Sequence, residues 1–453
     1  MFFEVKMPDD TLKIPEFLRN SVMYQVFLRA FTPGGTLRSA ADMIPHLHRL
    51  GVDILYISPI TEADNDMRQE FWSVRQRKSG LGNPRSPYRV KDYWKIDPEY
   101  GTEEDLKYFV NEAHRLGMKV LLDVVYYHCG PCAKLITEHP DFVTRDENGN
   151  VKSGEWCFPA LNFENPELRE YLHKNLEYFV REFDVDGYRC DVSDMVPIDF
   201  WETGRRRLEK IKPSVIMLAE GSAKVNQNRA FDFSYTFSWR QLYDVVSGES
   251  ATRMPVLWQE YYDSLLPETL VARYTEHHDL ANDRGPNRPE RLLGPDAHNV
   301  MLFINLCLDG IPFIYNGQEI ADTAMHSIWA NRDHGANMII DWSRAMTETG
   351  RMRFALLQRL IALRHTNPAL TQGKVNWLKH NQEDHVLIFT RTIENGQRLL
   401  IAANCHDTPV QVNLSGEFAK INDPLFEHNT ASEWKNGTLH LCLQPFGFTL
   451  MEY

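Results

Sequence analysis

The chain has 453 residues, 43% hydrophobic and 25% charged, with a formal net charge of −13. That length and balance describe a globular chain able to bury a sizeable core, and they exclude a disordered, fibrous or small disulfide-stapled protein. The acidic charge, with the one dense basic stretch reading as a polar loop (RQEFWSVRQRKSGLGNPRSPYRVK), argues against nucleic acid as a partner.

The N-terminal MFFEVKMPDDTLKIPEF lacks a cationic start followed by a long apolar run, and no stretch approaches a membrane span, so a cytoplasmic protein is expected. Eight apolar β-type runs then follow one another: VMYQVFLRAF, VDILYISPI, KVLLDVVYY, DGYRCDV, SVIMLAEG, AFDFSYTF, LVARYTEH and IPFIYNG. Helical patterns separate them, among them SAADMIPHLHRLG, TEEDLKYFVNEAHRLG, NPELREYLHKNLEYFVREF and PDAHNVMLFINLCLDG, several with Ser, Thr or Asn at the cap and Gly at the stop. Strand then helix, eight times over, predicts an α/β fold, a (β/α)8 TIM barrel. Two connections, about 61 to 92 and about 129 to 165, are too long for simple βα loops and are expected to wall the active-site mouth. After a last helix around MRFALLQRLIALRHTN, short alternating runs (VLIFTRTI, RLLIAANC, PVQVNL, TLHLCLQ, FTLMEY) predict a C-terminal antiparallel β-sandwich domain from about residue 371.

Charged groups recur at the strand ends. In GYRCD, Arg189 and Asp191 are two apart and share a strand face, and the cation is expected to keep that carboxylate ionised with a low pKa, as suits a nucleophile. Glu220 ends the apolar run VIMLAEG, where a raised pKa would let it carry a proton at neutral pH. The third run ends with Asp123 and His128, and the seventh with His278 and Asp279. A single acid at a strand end is ordinarily a helix cap or ion-pair partner; several at matching ends of different strands are costly to bury and point to a site.

In order and spacing, LGVDILYISPI, SPYRVKDYWKIDPEYGT, DVVYYH, PALNFENPE, GYRCDVSDMV, MLAEG, TEHHD and GIPFIYNGQE resemble the signature segments of the α-amylase superfamily of glycoside hydrolases. The resemblance implies a retaining mechanism on α-glucosidic bonds: Asp191 as nucleophile, Glu220 as general acid/base, and Asp279 as the third acid gripping sugar hydroxyls. It implies that His128, His278 and Arg189 surround the same sugar ring, that Asp123 supports them from behind, and that Tyr88 is an aromatic platform for the sugar. It also implies a catalytic barrel over 1–128 and 166–370, a short inserted domain B over 129–165 after the third strand, and a β-sandwich over 371–453. The expected partner is an α-glucan or maltooligosaccharide substrate, and no cofactor is implied.

Departures from the family pattern matter too. Tyr127 stands where many relatives carry an Asn that ligates calcium, and FTPGGTLRSAAD lacks calcium-loop spacing, so no bound metal is expected. VSDMV follows Asp191 in place of a Lys-His pair, His277 replaces an Asn, and the arginine often found three residues after the third acid appears only at Arg284.

HCGPC poses a separate question, since Cys129 and Cys132 form a CxxC box of thioredoxin type. The pair could be redox-active, or join His128 and Cys157 around zinc, or simply pack about a Gly-Pro turn; the surrounding barrel pattern favours packing. With seven scattered cysteines, no disulfide framework is expected. The function expected is hydrolysis of α-1,4 linkages through a covalent glycosyl-enzyme. The rivals are a glucanotransferase using the same acids, a non-catalytic sugar- or protein-binding barrel, and a disulfide oxidoreductase.

Overall fold

The computed structural model describes residues 12–235, 241–266, 269–280, 288–335, 338–416 and 424–453. Eight parallel strands close a barrel: β1 Met23–Val26, β2 Ile54–Ile57, β3 Lys119–Val124, β4 Gly187–Cys190, β5 Ile216–Ala219, β6 Phe233–Tyr235, β7 Leu270–Tyr274 and β8 Ile311–Tyr315. Each strand pairs with its neighbours in the chain, and β8 returns to β1. Inward-facing side chains such as Met23, Ile54, Leu121, Leu218, Ala272 and Phe313 fill the barrel as one buried cluster, so it is a packed core and not a pore.

The helices between the strands begin where the sequence supplies a cap. Thr102 accepts from the backbone N–H of Asp105 at the head of Glu103–Arg115, and Asn165 caps Pro166–Phe183 with proline at the first helical position. The helix Pro295–Cys307 has no such cap and is buried almost all round, because Phe303 stacks at 4.3 Å on Phe448 of the C-terminal sheet. The first apolar run is shorter as a strand than its sequence suggests. Beyond Val26 the N–H of Phe27 is taken by Asn316 Oδ1 at 2.7 Å, and the chain turns into a helix at Leu28–Phe31.

Both long connections are structured. The one after β2 pairs Thr61–Ala63 with Val90–Ile96 and carries the helix Val74–Ser79; the one after β3 is laced by isolated bridges, including His128 with Ala160 and Val143 with Leu161.

At the C-terminus, β9 Lys374–Trp377, β10 Val386–Thr392, β11 Arg398–Asn404, β12 Val410–Ser415, β13 Phe426–Lys435 and β14 Thr438–Glu452 form one antiparallel sheet in the order β9-β10-β11-β14-β12, with β13 also on β14. It makes its second layer by bending. The last residues of β14 pair with β11 and its first with β12, and the change falls where Phe446 and, opposite it, Asn429 take left-handed φ of 53° and 48°. Val386 and Leu400 thereby meet Val412 and Leu441 in one buried cluster. Among the described residues, no helix is long and apolar enough to cross a membrane.

Candidate active site

Strand register builds the centre of the site. Asp123 lies beside Arg189 in the β3–β4 ladder, and Cys190 beside Ala219 in the β4–β5 ladder, so Asp191 and Glu220 leave adjacent strands at one level. The Glu220 N–H donates to the Cys190 carbonyl, and the Val192 N–H donates to Glu220 Oε2 at 2.8 Å. A cavity of about 1000 Å³ opens above, at the C-terminal ends of the strands. Tyr88, His128, Asp191, Glu220, His278 and Asp279 line it, while Arg189 and Asp123 lie behind that lining, fully or almost fully buried.

One guanidinium joins three carboxylates. Arg189 Nη1 donates to Asp123 Oδ1 at 2.7 Å and to Asp191 Oδ1 at 2.8 Å, while Nη2 lies 2.7 Å from Glu220 Oε2. The rings of Tyr56, Tyr88 and Tyr235 surround the cation at 5.7–6.0 Å. Asp123 is held further by the hydroxyls of Tyr56 at 2.5 Å and Tyr88 at 2.9 Å, both on Oδ2.

Burial corrects the electrostatic expectation for Asp191. Its carboxyl is pushed up, to about 6, because desolvation outweighs the Arg189 charge, which is divided among three acids, and because Asp123 and Asp279 add repulsion. Glu220 rises further, to about 8, through burial against the same cation and the charges of Asp191 and Asp279. The order separates the two acids: at neutral pH Asp191 is ionised while Glu220 keeps a proton. Asp279 goes the other way. Burial alone would raise it, but His278 and Arg75 hold it well below the usual carboxylate range.

His128 and His277 are neutral scaffolding. Burial pushes His128 and His277 down to about 3. His128 Nε2 is 4.0 Å from Asp191 Oδ2, and its ring packs on Phe158 and Trp156. His277 Nδ1 accepts from the Asp279 N–H at 3.3 Å. His278 stacks on Tyr88, with ring centroids 5.3 Å apart, and its Nε2 lies 2.8 Å from the Tyr88 hydroxyl and 3.2 Å from Asp279 Oδ2. Gln25 fixes its tautomer: the Gln25 Oε1 accepts from the His278 backbone N–H at 3.3 Å, which turns Nε2 toward Nδ1 at 2.8 Å. Nδ1 is then the acceptor and Nε2 carries the proton.

Three participants escaped the sequence reading. Gln25 sits inside an apolar strand run, and a polar residue in so buried a strand is itself a signal. Arg75, in the stretch read as a polar loop, reaches Asp279 Oδ1 at 2.6 Å. Trp156 lines the cavity with left-handed φ of 57°, which no local pattern announces. Arg284 lies outside the described residues.

The CGPC box is a structural turn. All seven cysteines are free. Cys129 is buried, with its thiol held well up by burial, whereas the exposed Cys132 directs its thiol to Asp66 Oδ2 at 3.0 Å. The N–H of Cys132 donates to Asp64 Oδ2 at 2.6 Å and that of Gly130 to the Val90 carbonyl at 2.8 Å, so the turn stitches the two long connections together. Among the described residues, His277, His278 and Asp279 are the one group of potential ligands close enough to share an ion, with ligand atoms within 4.8 Å, and the ring nitrogens of His278 are already engaged. His128, Cys129, Cys132 and Cys157 form no such group.

Comparison with known proteins bears on this geometry. The family model for the alpha amylase catalytic domain matches residues 10–148 and 152–351. The chain is 26% identical to a maltogenic alpha-amylase of Bacillus acidopullulyticus, over 91% of this chain and 74% of that protein. It is 25% identical to an intracellular maltogenic amylase of Bacillus subtilis, over 86% and 69% respectively. The crystal structure of an alpha-amylase from Lactobacillus plantarum superposes with a TM-score of 0.80 at 26% identity, covering 97% of this chain and all of that one.

Proposed function

The chain belongs to the alpha-amylase family of glycoside hydrolases, and from that premise we propose that it hydrolyses α-1,4 bonds of maltooligosaccharides or related α-glucans with retention of configuration. The observation that carries this reading is the single Arg189 guanidinium touching both Asp191 and Glu220. A shared cation keeps the two carboxyls close, as a retaining pair about 5 Å apart requires. Asp191 attacks the anomeric carbon while Glu220 gives its proton to the departing glycosidic oxygen, leaving a glycosyl ester on Asp191. Glu220, now ionised, takes a proton from water as that water attacks the anomeric carbon and displaces the Asp191 carboxylate, which restores both carboxyls. Asp279, kept anionic by His278 and Arg75, grips the sugar hydroxyls and favours the positive charge that develops on the ring. His278 offers its Nε2–H beside it.

The relatives named as maltogenic amylases support the choice of glucan, and the description of one as intracellular supports action in the cytoplasm. The test is a product profile from maltoheptaose, run beside Asp191→Ala. Shorter sugars from the native chain and none from the folded variant are expected. Turnover undiminished in Asp191→Ala would remove the nucleophile, and products longer than the substrate would shift the reading to glycosyl transfer.

A further inference from the structure

Two connections share one side of the cavity wall. Ser73, Val74, Arg75 and Lys78, from the connection after β2, and Ile328 and Trp329, from the connection after β8, line it together. Backbone-directed hydrogen bonds tie these two connections across the top of β1. Asn83 Nδ2 donates to the Trp329 carbonyl at 2.7 Å; Arg29, buried just beyond β1, donates from Nη1 to the carbonyls of Arg85 at 3.0 Å and Ile328 at 2.8 Å. Gln76 anchors the helix Val74–Ser79 to the same strap through the Asn83 and Pro84 carbonyls. From that helix, Arg75 extends to Asp279 at the end of β7. The barrier therefore spans the mouth from β2, over β1, to β8, with an arm toward β7.

Barrel order tells which end of a sugar chain meets this barrier. In a ring of eight strands, β5 stands opposite β1. Glu220, at the end of β5, must face the glycosidic oxygen that departs, so the released part of the chain lies on the β5 side. The retained part, held between Asp191 and Asp279, runs away from Glu220, toward β1. On the reading of Glu220 and Asp191 given above, we propose that the enzyme works from the non-reducing end of its glucan, because the β2–β8 strap and the Arg75 arm close the glycone side of the cleft after a short stretch of sugar. A chain can enter only end first, and an internal bond of a long or closed chain cannot reach the carboxyl pair.

The experiment compares 4-nitrophenyl α-maltoheptaoside, free at its non-reducing end, with the same compound blocked there by a 4,6-O-ethylidene group, products being read by mass spectrometry. The blocked substrate is expected to be cleaved about a hundredfold more slowly, and cyclomaltoheptaose, which has no end, to resist as well. Comparable rates on free and blocked substrates, or opening of the ring as fast as the linear sugar, would overturn the inference while leaving hydrolysis intact. Cleavage of neither linear substrate would overturn the hydrolytic reading and this one with it. Arg75→Ala is expected to raise the ratio of blocked to free rates about tenfold, whatever it does to each rate alone, and an unchanged ratio would overturn the place given to Arg75 in the barrier.

Discussion

Arg189 Nη2 lies 2.7 Å from Glu220 Oε2, yet Glu220 is the acid with the higher pKa of the central pair. The contact fails to hold the carboxyl ionised because its cation is also committed to Asp123 and Asp191, and Arg189, Asp123 and Asp191 are buried with Glu220 only slightly exposed beside them. With Asp191 proposed as nucleophile and Glu220 as acid, activity requires Asp191 ionised and Glu220 protonated. The pH profile of kcat/KM should therefore be bell-shaped, its acid limb rising near pH 6 and its alkaline limb falling near pH 8, as macroscopic constants of the pair. A single plateau extending unbroken to pH 10 would contradict this assignment.

The same shift has a consequence for stability. A carboxyl whose pKa is higher in the folded than in the unfolded chain favours folding while protonated, and that contribution is lost as pH rises from the unfolded value through the folded one. For Glu220 the window runs from about 4.5 to about 8. Glu220→Gln removes the titration. Its melting temperature relative to the native chain should accordingly climb across that window and level off above it, measured by calorimetry at pH 5, 7 and 9. A difference that stays flat or falls with pH would show that Glu220 is not raised.

How much of this was legible in the sequence depends on the range of the signal. The eight strands and the long helices carry their own periodicity and caps, and the strand-end acids Asp191, Glu220 and Asp279 stand out because polar groups end apolar runs. The sequence points the wrong way for the pKa of Asp191 because its neighbour Arg189, two residues away, is visible in the chain, whereas the competing claims of Asp123 and Glu220 on that guanidinium come from other strands. Arg75 is a still longer-range case. It lies 204 residues from Asp279, in a stretch whose composition says only that it is polar. The bend that makes one sheet into two layers rests on left-handed residues at Asn429 and Phe446, and for Phe446 neither residue type nor spacing announces it.

Gln25 offers a separate check on His278, the histidine stacked on Tyr88. Gln25→Leu deprives the buried His278 Nδ1 of its donor, which frees the ring to exchange tautomers and turns its proton away from Tyr88 and Asp279. A loss of about 1–3 kcal/mol in stability is expected for the unpaired ring nitrogen. Activity should fall by about 10–100-fold, in the range seen when a group that orients a functional histidine is removed. Nitrogen-detected NMR of the imidazole distinguishes this from a packing defect: a mixed tautomer signal supports the account, and an unchanged Nε2–H form refutes it.

The CGPC turn sets packing against redox chemistry. Cys129 is enclosed and its thiol is driven up by burial, while the Cys132 thiol is raised by partial burial and by its bond to Asp66. A low-pKa attacking thiolate is what a disulfide oxidoreductase needs, and neither sulfur has the surroundings to supply one. In the native protein, a thiol reagent should therefore reach Cys132 readily and Cys129 only after unfolding, and insulin should not be reduced. The residue the turn cannot spare is Gly130, since a Cβ there would collide with the Asp64 carboxyl that receives the Cys132 and Asp66 N–H groups. Gly130→Ala should cost about 1–3 kcal/mol and depress activity by displacing the stitched connections, whereas Cys132→Ser, whose hydroxyl can still donate to Asp66, should leave both nearly unchanged. If instead the serine variant is the damaging one, the thiol has a chemical role that packing does not explain.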